Sequence, residues 1–118
     1  MQMSSFNVTR VLLDNLNKEY PFLIYVLYLL RALLRSKDYL KSQKSLLEFR
    51  AIHPILRDED EEVVDLTLDC CLLLMDNVLY TKSINKIELA SILAQTLRNI
   101  DAHGPLKKAG QVYSLLLA

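Results

Sequence analysis

Glycine and proline are scarce in this chain, two and three residues in 118, and tryptophan is absent. So few backbone breakers leave little room for the frequent turns of an all-β fold. With glycine only at 104 and 110, no glycine-rich phosphate loop can be built. Cysteine occurs twice, at the adjacent positions Cys70 and Cys71. Neighbours on a helix point about 100° apart, so these two do not suit a disulfide with each other. The absence of a disulfide framework points to an intracellular setting, cytoplasmic or nuclear. Cys-Cys also lacks the spacing of a zinc-binding pair. Neither charge sign is in excess: fourteen Lys and Arg balance fourteen Asp and Glu. A protein that coats nucleic acid or an anionic membrane usually carries a basic surplus. Residues 1–5 lack the basic-then-apolar order of a signal peptide. The longest apolar stretch, Pro21 to Leu30, falls short of the ~20 residues that span a bilayer, so a buried helix is expected and no membrane insertion.

What is present is helical patterning, with 52% hydrophobic and 24% charged residues over a length that suits one domain, residues 1–118. Six helices are expected. The first runs from about Asn7 to Leu16, and the second from Pro21 to about Arg35, apolar nearly all round. Ser36 or Asp38 caps a third, with Tyr39, Leu40, Leu46, Leu47 and Phe49 on its apolar side and Pro54 bending or ending it near His53. A fourth starts within the acidic run Asp58 to Glu62 and continues to about Met75 or Val78. Thr81 to Asn85 reads as a polar break, after which Asn85 and Glu88 open a fifth helix reaching about Ile100. Gly104-Pro105 marks a stop and a restart, the sixth helix carrying Leu106, Ala109, Val112, Tyr113 and Leu116.

These helices pair into three hairpins whose leading helices end near Leu16, Leu56 and Ile100. The intervals of about 40 and 44 residues fall in the range of helical repeats. Cys70 to Met75 is apolar around the whole axis, which suits a helix with neighbours on both sides. From Ile55-Leu56 through the Asp58 to Glu62 turn to Val63 and Cys71, the sequence resembles a HEAT repeat, with Pro54 where first helices of that family bend. The resemblance to HEAT/armadillo-like repeats covers about residues 45–78. Val64 and Thr67 stand where the family usually has arginine and alanine. It implies an all-α fold: three antiparallel hairpins stacked in a short right-handed α-solenoid, with binding surfaces rather than a reaction centre. A compact six-helix bundle acting by homotypic association is the alternative.

No catalytic constellation accompanies His53 or His103, and neither a metal nor a cofactor is expected. Both cysteines read as small buried hydrophobes. Four acidic residues of the fourth helix, Glu62, Asp65, Asp69 and Asp76, fall within about 60° of one another on an ideal helix. Such a seam is either a solvated face or the receiver of a basic segment from a partner protein. A basic segment, Arg31, Arg35, Lys37, Lys41 and Lys44, is opposed only by Asp38. It suits the C-terminal dipole of the second helix, or contact with nucleic acid or an acidic partner. Phe22, Tyr25 and Tyr28, with Tyr20, read as core rather than as an exposed hot spot. Leu115-Leu116-Leu117 ends the chain without a polar cap. Either the last helix packs back, or a partner or second copy covers it, or the array continues. The expectation is a non-catalytic scaffold or adaptor acting through protein–protein contacts.

Overall fold

The computed structural model describes residues 8–17, 21–43, 47–58, 60–99 and 103–117. The expectations for Asn7, Tyr20, Lys44, Leu46 and Ile100 lie outside them. The described residues are all-helical: α1 Val8–Asp14, α2 Leu23–Leu34, α3 Lys37–Ser42, a 3₁₀ helix Leu47–Arg57, α4 Glu61–Met75, α5 Val78–Ser83, α6 Lys86–Asn99 and α7 His103–Leu117.

Local chemistry sets most of these boundaries. Ser36 Oγ accepts from the Tyr39 N–H and starts α3, satisfying a first-turn donor. Asp60 does the same for Glu62, and Glu61 and Glu62 sit at the positive end of the α4 dipole. Asn85 Oδ1 accepts from the Glu88 N–H to start α6. Pro54, expected to bend or end a helix near His53, instead lies inside the 3₁₀ helix, which continues to Arg57. With three residues per turn, this helix stacks Phe49, Ile52 and Ile55 on one line and His53 and Leu56 on the next, all of them buried. Pro54 falls on the exposed line, so its ring meets solvent. Eight described elements replace the six expected helices, and three expected boundaries fail. Gly104-Pro105 is not the stop and restart, because both residues lie in the first turn of α7. The third helix is not continuous from Tyr39 to Phe49, since Gln43 leaves the helical region at ψ 128°. Thr81 to Ser83 is not a break but the last turn of α5, because Asn77 Oδ1 accepts from the Tyr80 N–H.

The elements pack as a ladder two helices deep, 49 × 34 × 20 Å in extent. One layer is α1, the 3₁₀ helix and α6, each packed on the next. The other is α2, α4 and α7 in the same order. The rungs are α1 on α2, the 3₁₀ helix on α4, and α6 on α7. Short α3 and α5 pack on α2 and α4. Helix α4 is therefore covered from both sides within its layer, and Val63, Val64, Leu66, Thr67, Leu68, Cys70, Cys71, Leu74 and Met75 are all buried. Thr67 is accommodated because its hydroxyl donates to the Val63 carbonyl one turn back.

The short helices that lead into the two later rungs share three residues in the same order. Residues 36–42 read SKDYLKS and residues 77–83 read NVLYTKS, 41 positions apart. Ser36 and Asn77 cap the two short helices, and the tyrosines reach back to the preceding rung: Tyr39 hydrogen-bonds with Thr9 of α1, Tyr80 with His53 of the 3₁₀ helix. Phe49, Ile52, His53 and Leu56 recur 40 positions on as Leu89, Ile92, Leu93 and Thr96, and every one is buried.

His53 shows what this packing costs. Its ring is buried edge-on to Tyr80, with centroids 6.0 Å apart. Burial, helped by Arg50, lowers its pKa from 6.5 to about 4. Folding therefore requires the neutral imidazole, a requirement met in full above pH 6.5 and lost as pH falls towards 4. In urea titrations, stability should fall across that window by on the order of 3 kcal/mol more in the native chain than in His53→Gln. Equal falls in the two proteins would exclude His53 as the acid-sensitive group.

Candidate functional site

The side chains that the sequence singles out as an acidic seam and a basic segment meet on one face of the ladder. Arg31 of α2 donates from Nη1 to Asp69 Oδ2 of α4 at 2.7 Å. Lys108 of α7 reaches the same helix from the other side, with Nζ 2.9 Å from Asp69 Oδ1 and 2.9 Å from Asp65 Oδ2. Tyr28 of α2 donates its hydroxyl to Glu62 Oε2 at 3.1 Å. One polar line thus crosses α2, α4 and α7, and Asp69 bridges both neighbours through its two oxygens.

The physical reason lies in α4 itself. A helix buried on two sides can carry carboxylates only where counter-charges meet them, since a partly buried unpaired charge is costly. Asp69 keeps 17% of its side-chain surface exposed and Arg31 22%, so this pair is sheltered beyond an ordinary surface bridge. For Lys108 burial works against the charge, but the hydrogen bonds to Asp69 and Asp65 outweigh it and the pKa is raised. Asp65 Oδ1 is buried without a hydrogen-bond partner among the described residues. It lies against the first turn of α7, 3.8 Å from where a Cβ on Gly104 would sit. The positive end of that helix dipole favours a carboxylate there.

Of the expected partner-binding residues, Glu62, Asp65, Asp69 and Arg31 are therefore engaged within the chain. Asp76 is exposed at the end of α4 and borders a groove of about 500 Å3 with Leu72, Gln111, Ser114 and Leu115. Arg35, Lys37 and Lys41 are exposed, while Lys44 lies outside the described residues. Lys108 is the residue that the sequence did not flag. The signal for it was available in principle: an acidic seam on an apolar helix needs cations on the helices flanking it.

The aromatic residues of the second helix are not core, contrary to expectation. Phe22, Tyr25 and Tyr28 are exposed, because α2 buries the opposite stripe, Leu23, Val26, Leu27, Leu30 and Leu34. The Phe22 and Tyr25 rings lie 6.2 Å apart, and the Arg31 guanidinium sits 5.1 Å over the Tyr28 ring. At the other end of the chain Leu116 is buried, whereas Leu115 and Leu117 are exposed on α7.

The reactive groups are placed for packing. Both thiols are fully buried, and burial pushes Cys70 up to about 12 and Cys71 higher still, so neither is a nucleophile at neutral pH. His53 borders a surface hollow of about 300 Å3 with Arg50, Pro54, Asn85 and Glu88. The His103 side chain lies outside the described residues. No helix among the described residues is long and apolar enough to cross a membrane.

The ion network is open to direct measurement. Asp69→Asn removes the carboxylate that Arg31 and Lys108 share and should cost about 2 kcal/mol in urea titrations at low salt. Lys108→Met should cost less in that background than in the native chain. Strict additivity of the two changes would mean that the contact contributes nothing to stability.

In comparisons with known proteins, no family, no curated protein and no solved structure matches this chain.

Proposed function

We propose that the chain is a short α-solenoid of HEAT/armadillo type that works without catalysis, as a protein-binding scaffold or adaptor within a larger assembly. The observation that carries this reading is the ladder. Each well-packed pair of elements belongs to the same rung or to neighbouring rungs, and α1 packs on α2 and the 3₁₀ helix. That is the nearest-neighbour pattern of a repeat array. The recurrence of Ser36-x-x-Tyr39 as Asn77-x-x-Tyr80, each followed by a long helix pair, supplies a repeating unit of the right length.

Surface chemistry supports binding rather than turnover. Large apolar side chains stay exposed on both outer helices of one layer: Phe22, Tyr25 and Leu29 on α2, Leu115 and Leu117 on α7. Contiguous exposed apolar surface marks contact sites. The buried histidine and thiols, shifted away from neutral pH, offer no poised acid, base or nucleophile.

Two measurements test the proposal. In native-state hydrogen exchange, amides of α1 and α2 should exchange through an opening smaller than the one that exposes α4, because a stack frays from its ends. A single global opening for all helices would instead indicate the compact bundle. Purified chain returned to an extract of its own cells should co-elute with a stoichiometric protein partner, well above its own 13.6 kDa. Co-elution with nucleic acid alone, lost steeply with salt, would replace the protein-binding reading.

A further inference from the structure

Helix α2 is apolar on two faces, as α4 is, but the described residues cover only one of them. Phe22, Tyr25, Leu29 and Ala32 follow one another at helical spacing on the open side, and the first three are 54%, 61% and 56% exposed. In the chain this stripe is followed at once by a group of cations. Arg35 closes α2, and α3, which packs on α2, carries Lys37 and Lys41 one turn apart. Unlike Arg31, none of these three makes a salt bridge among the described residues. Between residues 31 and 43 the only acid is Asp38, and α2 has none. An apolar anchor stripe ending in unbalanced positive charge is the complement of an amphipathic segment with apolar residues on one side and carboxylates towards one end.

We propose that the open face of α2 docks an acidic amphipathic helix of another protein, its apolar side chains over Phe22, Tyr25 and Leu29 and its carboxylates on Arg35, Lys37 and Lys41. This rests on the protein-binding reading and names the partner's chemistry. A second copy of the chain fits less well. The outermost helices of this layer, α2 and α7, contain no Asp or Glu, so neither would bring a carboxylate to the three cations. The exposed aromatics supply area at low entropic cost, which is why such residues dominate binding hot spots.

The probe is a labelled helical peptide with leucines along one face and glutamates along the other, beside a counterpart with lysines in place of the glutamates. Binding is read by fluorescence anisotropy. The glutamate peptide should bind the full chain at least ~10-fold more tightly than the lysine peptide, with the difference shrinking in high salt. Tyr25→Ser with Leu29→Ser should weaken binding about tenfold or more without changing the thermal melt, because both side chains are exposed. Arg35→Glu, Lys37→Glu and Lys41→Glu together should reverse the preference between the peptides. Equal affinity for both peptides, no binding of either, or binding indifferent to the α2 changes would overturn the proposal. So would a homodimer in light scattering that Leu29→Ser dissolves, which would assign the face to a second copy. A cellular partner that binds normally to the Tyr25 and Leu29 variant would overturn this docking mode while leaving the protein-binding reading intact.

Discussion

A helix with apolar side chains around most of its axis has to be covered around most of its axis, and α4 is that helix. The elements that touch it, α2, α5, α7 and the 3₁₀ helix, take their positions from this requirement. Helices α2 and α7 close its two sides within the layer, and the 3₁₀ helix closes its back. The narrow strip left over carries Asp65 and Asp69, and Arg31 and Lys108 meet these carboxylates from opposite neighbours. Burial and ion pairing are thus one constraint. The apolar residues bring the helices within side-chain reach, and the carboxylates fix which turn of α2 and which turn of α7 face α4. Hydrophobic contact alone is non-directional and would tolerate a slip by one turn. A pair at 2.7 Å would not.

Much of the architecture was legible in the sequence, because helix caps and periodicity are local. Ser36, the Asp58 to Glu62 run and Asn85 do what their positions suggest. The failures are equally physical. Pro54 reads as a helix breaker when α-helical hydrogen bonding is assumed. A 3₁₀ helix can carry it on an exposed line while residues on either side of it stay buried. The Thr81 to Ser83 segment is polar and looks like a loop, yet Tyr80, fully buried against His53, pins its helix from one side. The correspondence between SKDYLKS and NVLYTKS was also in the sequence. Three identities in seven positions carry little weight until both tyrosines are seen to reach back to the preceding rung.

The candidate site was legible in parts but not as a whole. The acidic seam and the basic segment each stood out, and each invited an external partner. Neither pattern could disclose that Arg31 and Asp69 satisfy each other across 38 residues. Pairing between helices depends on which turns face one another, a tertiary fact that periodicity within one helix does not encode. The aromatic residues of α2 show the same limit from the other direction. Apolar periodicity identifies the faces of a helix that gain from burial, and α2 has two. Which face the chain itself covers is decided by the number of neighbours. Helix α2 has α4 on one side of its layer and no described helix on the other.

That difference between a middle helix and an end helix sets the energetics of the open face. Burying a large apolar side chain is worth about 1.5–3 kcal/mol. Phe22, Tyr25 and Leu29 together therefore hold several kcal/mol that folding leaves unrealised. Association carries its own cost, roughly 4–15 kcal/mol of lost rigid-body freedom. Three anchors alone fall short of or barely meet that cost, so apolar contact by itself gives weak and unselective binding. The cations at the end of the stripe change the balance in two ways. They add charge-assisted contacts, and they favour an acidic partner over a neutral or basic one before the apolar surfaces touch. The same side of the ladder has already spent Arg31 on holding α2 against α4. Arg35, Lys37 and Lys41 are what remains for recognition once the fold has taken the charge it needs.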